Sequence, residues 1–265
     1  MRINKTIKLL IAGLFILSSL AVISPATGNA INSNSIWNSS SSSYNWSGYA
    51  VTSGTNSVSY VSATWTVPSV TCIIFSGYQL DYLTSAASMW IGIDGYNSPT
   101  VEQTGIEMDC NSGTPSYYVW WELYPDFASQ YLFSVNAGDT ITAHISYYPG
   151  TLYNPIKSLI FSIQDTTTGS SSYFSRQIES SWHRSSAEWV VERPSFCSSG
   201  CYKYLSNFGT ATFNSAQTSI SGSTHGISGN VYQITMKNSQ GNNLAVPSST
   251  YNSGESFHDY WYNYL

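Results

Sequence analysis

Two carboxylates and a tryptophan share the run Ser186-Ala187-Glu188-Trp189-Val190-Val191-Glu192-Arg193, in a chain of which only 9% of residues are charged. A carboxyl group inside an apolar, β-favouring run is costly unless it is hydrogen-bonded, so each such acid is a candidate for proton-transfer chemistry. Three further blocks combine aromatic, amide and acidic residues: Tyr44-Asn45-Trp46-Ser47-Gly48-Tyr49, Trp90-Ile91-Gly92-Ile93-Asp94-Gly95 running on to Gln103-Thr104-Gly105, and Trp120-Trp121-Glu122-Leu123-Tyr124-Pro125. If these runs are strands, successive side chains alternate between faces. Glu188, Val190 and Glu192 then point one way and Ala187, Trp189 and Val191 the other, with the two glutamates roughly 13 Å apart along the strand and unable to bond each other directly. Gln103, Gly105 and Glu107 share a face opposed to Glu102, Thr104, Ile106 and Met108. Trp120, Glu122 and Tyr124 share one opposed to Trp121 and Leu123. Each residue has an ordinary explanation when taken singly: Glu122 bonded to a backbone edge, Trp46 and Trp120 as core aromatics, Gln103 as a solvated strand residue. Three mixed polar faces together suggest a hydrolytic groove.

Other catalytic routes find little support. No G-x-S-x-G elbow occurs, and His144, His183, His225 and His258 have no H-E-x-x-H spacing. No spacing implies a metal or a cofactor. The four cysteines, Cys72, Cys110, Cys197 and Cys201, include a single close pair, C-x3-C, which argues against a four-thiolate zinc site. Their even number in an exported chain favours two disulfides, with Cys72–Cys110 and Cys197–Cys201 preferred among three pairings.

The elements that must position these groups read as strands. β-favouring runs span 57–67, 87–93, 100–108, 117–124, 140–148, 158–165, 172–178, 187–191, 209–213 and 231–236, separated by Gly, Asn, Ser and Pro clusters with no sustained 3.6-residue apolar period. That pattern predicts an all-β, antiparallel sandwich. The N-terminus has a basic start at Arg2, Lys5 and Lys8, an apolar run from Leu9 to Ile23, and small residues near Ala26 and Ala30. It is read as a secretory signal peptide over residues 1–30, giving a secreted protein with no membrane segment after cleavage. Residues 31–43 are low-complexity and polar, a flexible leader, and 44–265 form one domain. A net charge of −5 with scattered Lys and Arg gives no nucleic-acid footprint. Few ionisable groups also suit an acidic habitat, because acid unfolding is driven by charging.

In order and spacing, the blocks Asn45-Trp46-Ser47-Gly48-Tyr49, Trp65-Thr66-Val67-Pro68, Trp90 to Gly95, Gln103-Thr104-Gly105, Trp121 to Pro125, Gly138-Asp139, Ala187 to Glu192 and Phe208 to Phe213 resemble the glutamic peptidases of the eqolisin family. The resemblance covers nearly the whole chain after the leader. It implies a double antiparallel β-sandwich of the concanavalin-like jelly-roll type, acting as a secreted acid endopeptidase on polypeptides, as a monomer and without cofactor or metal. It also implies a catalytic dyad of Gln103 and a glutamate, Glu192 in preference to Glu188. Trp46, Trp90, Asp94, Glu107, Trp120, Glu122 and Tyr124 match groove or supporting positions, with Glu107 standing where relatives often have aspartate. An ionised Glu192 would take a proton from water and pass it to the leaving amine, while Gln103 orients the water and stabilises the oxyanion. The chain departs from fungal relatives in its cysteine placement, its short leader, and the segments 72–86 and 193–204. Rival readings are a carbohydrate-binding sandwich, a glycosidase using Glu122 and Glu192, and a degenerate fold serving in adhesion.

Overall fold

The computed structural model describes residues 37–72, 84–195 and 201–265, which contain no helix. In chain order the first strands are β1 Trp37–Ser43, β2 Trp46–Thr52, β3 Val58–Thr66, β4 Ser85–Ile93, β5 Val101–Asn111, β6 Thr114–Tyr124, β7 Phe127–Ser134, β8 Thr140–Tyr148 and β9 Ser158–Asp165. Then follow β10 Ser171–Gln177, β11 Ser186–Glu192, β12 Tyr204–Leu205, β13 Thr210–Ile220, β14 Ser223–His225, β15 Asn230–Lys237, β16 Asn243–Pro247 and β17 Phe257–Trp261.

The pairings trace two layers. One runs β7-β6-β5-β4-β11-β2-β15-β1, antiparallel except for the parallel β15–β1 pair. The other runs β10-β9-β8-β3-β13-β17-β16, antiparallel throughout, and β16 pairs with the end of β15 to join the layers. The expected sandwich is therefore present. Between the layers lies a core built from one phase of each strand: Met89, Ile91, Ile106, Trp121, Trp189 and Val191 from the first, Val61, Trp65, Ile145, Phe161, Phe213 and Phe257 from the second. The alternate phase of the first layer forms a second cluster of Trp46, Ala50, Trp90, Tyr96, Val101, Trp120, Val190 and Ile234. This second face carries the residues singled out above.

One expectation is corrected. Residues 37–43 are not a flexible leader: they form β1, paired with Asn230–Met236 of β15 over the full strand. A run of serines has no apolar alternation to reveal a strand. Here the backbone hydrogen bonds of a parallel edge carry the pairing instead. The signal peptide read over 1–30, and 31–36 of the leader, lie outside the described residues.

Cys72 and Cys110 are joined, with Cα atoms 5.5 Å apart and a separation of 38 residues. Cys201 is also disulfide-bonded, while Cys197, its expected partner, lies outside the described residues. Replacing Cys72 and Cys110 by serine is expected to cost about 4 kcal/mol, from the entropy a loop of that length regains on unfolding. Urea unfolding of the double variant checks it, and an unchanged midpoint would mean that the covalent tie adds nothing beyond the sandwich core.

Candidate active site

Strand register sets the site. Glu192 of β11 lies opposite Ser88 of β4, and Ser88 opposite Glu107 of β5, which pairs with Tyr118 of β6. Two residues along, Val190, Trp90, Gly105 and Trp120 form the next row; two further, Glu188, Gly92, Gln103 and Glu122 form a third. All three rows share the second face. Glycine at two of these positions lets the Trp90 indole lie on the sheet. A Cβ on Gly105 would stand 2.3 Å from the Met89 carbonyl oxygen and 2.5 Å from Trp90 Cβ, and one on Gly92 would stand 2.9 Å from the Trp90 ring. Trp46 meets Trp90 edge-on, centroids 5.0 Å apart. Gly105→Ala is expected to lower stability by about 3 kcal/mol, since the contacts at Gly105 involve backbone and Cβ atoms that cannot swing aside. Thermal melts would detect this, and a wild-type midpoint would show that β4 and β5 can separate without cost.

Glu192 is buried and held at both oxygens. Asn45 Nδ2 donates to its Oε1 at 3.1 Å and Trp90 Nε1 to its Oε2 at 2.8 Å. The asparagine is oriented in turn by β1, because Ser43 Oγ donates to Asn45 Oδ1 at 3.0 Å and leaves Nδ2 to face the carboxyl. Across the face, Gln103 Nε2 donates to Glu122 Oε2 at 2.7 Å. Glu192, Glu122, Glu107, Trp120, Ser88, Ser129 and Pro194 surround a cavity of about 20 Å³, room for about one water molecule. Gln103 reaches it through Glu122. Glu107 Oε1 is buried there without a hydrogen-bond partner.

Burial, and next the Glu122 carboxylate, push Glu192 up to about 8, against hydrogen bonds from Trp90 and Asn45 that favour its charged form. Glu107 is likewise raised well above the usual carboxylate range, first by burial and then by Asp109. This changes the expected protonation state: below about pH 8 the resting Glu192 holds its proton.

The sequence-predicted residues separate into two groups. Gln103, Glu107, Trp120, Glu122 and Glu192 come together at or beside the cavity, with Trp46 and Trp90 in one cluster with Trp120, Trp90 bonded to Glu192, and Tyr124 packed on the same cluster. Asp94 stands apart. At φ +66° it closes a turn, accepting from the Arg184 and Ser185 backbone N–H groups at 2.6 and 2.9 Å and from Ser185 Oγ at 2.9 Å. It anchors the entry to β11, and so positions that strand from outside the cavity. Glu188 also lies away from the cavity, with its Oε1 facing the Tyr96 backbone N–H at 3.4 Å. Sequence reasoning missed Asn45 as a partner of Glu192, together with Ser88, Ser129 and Pro194. Asn45 stood in a block already noted, but only the β11–β2 register reveals its contact.

The site is thus a set of buried carboxyl groups and an amide around a water-sized cavity on one face of a β-sandwich. Residues 44–259 match the Peptidase A4 family, and the chain belongs to that family. Aspergillopepsin-2 of Aspergillus niger is 33% identical over 144 residues, covering 53% of this chain and 48% of that protein. The chain thus matches about half the length of this curated relative. Among solved structures, scytalido-glutamic peptidase with a transition state analog inhibitor superposes with a TM-score of 0.63 at 22% identity, covering 83% of this chain and 98% of the other. Aspergilloglutamic peptidase from Aspergillus niger gives a TM-score of 0.56 at 27% identity, covering 67% and 99% respectively.

Proposed function

We propose that the protein is a secreted acid endopeptidase that hydrolyses peptide bonds through Glu192 and Gln103. The observation that carries this reading is Glu192 itself: a buried carboxyl, fixed at both oxygens, opening with Glu107 and Glu122 on space for a single water. Membership of the Peptidase A4 family and the likeness to glutamic peptidases support the same substrate class.

A neutral carboxyl has one oxygen that donates a proton and one that accepts. In the acid range Glu192 gives its proton to the scissile carbonyl oxygen while its other oxygen takes a proton from the attacking water, forming the carbon–oxygen bond of a tetrahedral diol. Collapse runs the exchange again: Glu192 protonates the leaving nitrogen, accepts a proton from a diol hydroxyl, and the carbon–nitrogen bond breaks. Glu192 ends as it began. Gln103, whose amide faces Glu122 in the resting site, turns its N–H to the carbonyl oxygen as that oxygen becomes a diol hydroxyl, polarising it and orienting the water, a role worth up to roughly 3 kcal/mol. Trp46, Trp90, Trp120 and Tyr124 shape the groove for an extended chain.

The test is digestion of denatured haemoglobin or casein from about pH 2 to 7 with pepstatin present, beside Glu192→Gln. Pepstatin-resistant cleavage, strongest in acid and lost in the variant, is the expected result. A folded wild-type protein that cleaves nothing at any pH would overturn the reading. Release of reducing sugar from a glycan without proteolysis would favour the paired-carboxylate glycosidase.

A further inference from the structure

Behind the cavity lies a charge that the proposed reaction does not use. Glu107 and Asp109 alternate onto the same face of β5, and Lys203 Nζ donates to Asp109 Oδ1 at 2.8 Å, with the two side chains only 4% and 13% exposed. Lys203 is held there by backbone bonds. Its N–H donates to the Pro194 carbonyl at 2.9 Å, its carbonyl accepts from Arg193 Nε, Ser195 bridges to Tyr202, and the next residues, Tyr204–Leu205, pair with Ser85–Ala86 of β4. Arg193 and Pro194 directly follow Glu192, and Pro194 lines the cavity. A buried, placed cation is expensive, because its desolvation is repaid only by close partners. A surface pair would not need this scaffold.

Resting on the peptidase reading above, we propose that Lys203 is a positioning residue whose charge, held by Asp109 on the face of β5 that carries Glu107, sets how many protons the cavity carboxyls hold and so the pH range of the site. Groups from several elements face Glu107 or share its cavity: Asp109 from β5 itself, Tyr118 and Glu122 from β6, Ser88 from β4, Ser129 from β7, Glu192 from β11 and Lys203 from the segment before β12. Among these described groups, Lys203 is the one cation. Burial raises Glu107 first, Asp109 adds to it, and Lys203 opposes both. The Tyr118 hydroxyl, kept protonated by burial and by Glu107 and Asp109, bonds to Asp109 and closes the cluster on that side. Removing the cation therefore tightens proton binding at Glu107, and removing the Asp109 charge loosens it.

The experiment is a pH titration of side-chain carboxyl carbons by NMR in 13C-Glu-labelled full-length mature protein, with Glu107 and Glu192 signals assigned from Glu107→Gln and Glu192→Gln. It is run on wild type, Lys203→Met, Lys203→Arg and Asp109→Asn, with kcat/KM against pH measured on the same preparations. Lys203→Met is expected to move the Glu107 titration, and the alkaline limb of kcat/KM, up by about one pH unit. Lys203→Arg should restore both, and Asp109→Asn should move both down. Opposite shifts are the signature, because damage to packing would not change sign with the charge removed. If Lys203→Met fails to fold, Asp109→Asn and Lys203→Arg still decide. Titrations that stay put, or that all shift one way, would overturn the proposal, as would titrations that shift while the activity profile does not. A wild-type protein without peptidase activity would instead defeat the peptidase reading, and the NMR titrations would still report whether Lys203 controls Glu107.

Discussion

Glu192→Gln is expected to lower kcat by about 10³-fold or more at pH 4 while leaving the fold intact, in line with the 10²–10⁴ contributed by a positioned acid–base group. The two side chains are nearly isosteric, and below about pH 8 the native group is neutral, so the substitution removes no charge from the resting site. What it removes is the exchangeable proton. An amide cannot donate to the carbonyl oxygen and accept from water in one step, so the loss falls on kcat, with little change in KM. A local cost is also expected. Asn45 Nδ2 and Trp90 Nε1 both donate to Glu192, so the new NH2 must face one of them, at about 1–3 kcal/mol for the lost acceptor. Steady-state kinetics with a defined peptide, alongside near-ultraviolet circular dichroism, separates the two effects. A variant that is folded and retains normal turnover would remove Glu192 from the chemistry. The same assay on Glu188→Gln is expected to show activity near wild type, because Glu188 lies under Tyr96 and not on the cavity.

Stability is expected to fall as pH rises from about 4.5 to 8, the reverse of the acid lability common among globular proteins. Burial raises Glu102, Glu107, Glu188 and Asp259 well above the ordinary carboxylate range and Glu192 to about 8. A carboxyl whose folded-state pKa is raised keeps its proton in the folded protein after the unfolded chain has lost it. Folded molecules then bind more protons, and unfolding free energy drops with pH until the folded group also ionises. From its ordinary value of 4.5 to about 8, Glu192 alone would contribute a loss of about 5 kcal/mol. Glu102, Glu107, Glu188 and Asp259 act in the same direction. Asp165 works the other way at the acid end. Burial opposes its ionisation, but Thr168 Oγ1 and the Thr167 and Thr168 backbone N–H groups outweigh it and hold its pKa below the usual value. Its contribution is present above the unfolded pKa and is lost as pH falls through the folded one. Calorimetric midpoints at pH 4, 6 and 8 test this, and a flat or rising series would contradict it. Glu192→Gln should flatten part of the slope, making an inactive protein more stable than wild type at neutral pH.

The sequence by itself determined the sandwich class and which side chains share a face along each strand. Strands β8 and β9 were legible because one side of each meets the core, so Ile141, Ala143 and Ile145, then Leu159, Phe161 and Ile163, alternate with less buried neighbours. The same period placed Gln103 with Glu107 and Glu188 with Glu192, since side-chain phase along a strand is a local property. Strand β1 was illegible because serines carry no such period, and β7 because its exposed Phe127 and Tyr131 blur it. Only tertiary structure decided which of the two glutamates meets the cavity, that Asn45 holds it from 147 residues away, and that Lys203 stands behind Asp109. Those contacts depend on register between strands far apart in the chain. The protonation of Glu192 was likewise beyond the sequence. A carboxyl's proton affinity is set by how much water it loses and which charges it faces, and both are fixed only when the sheet closes around it.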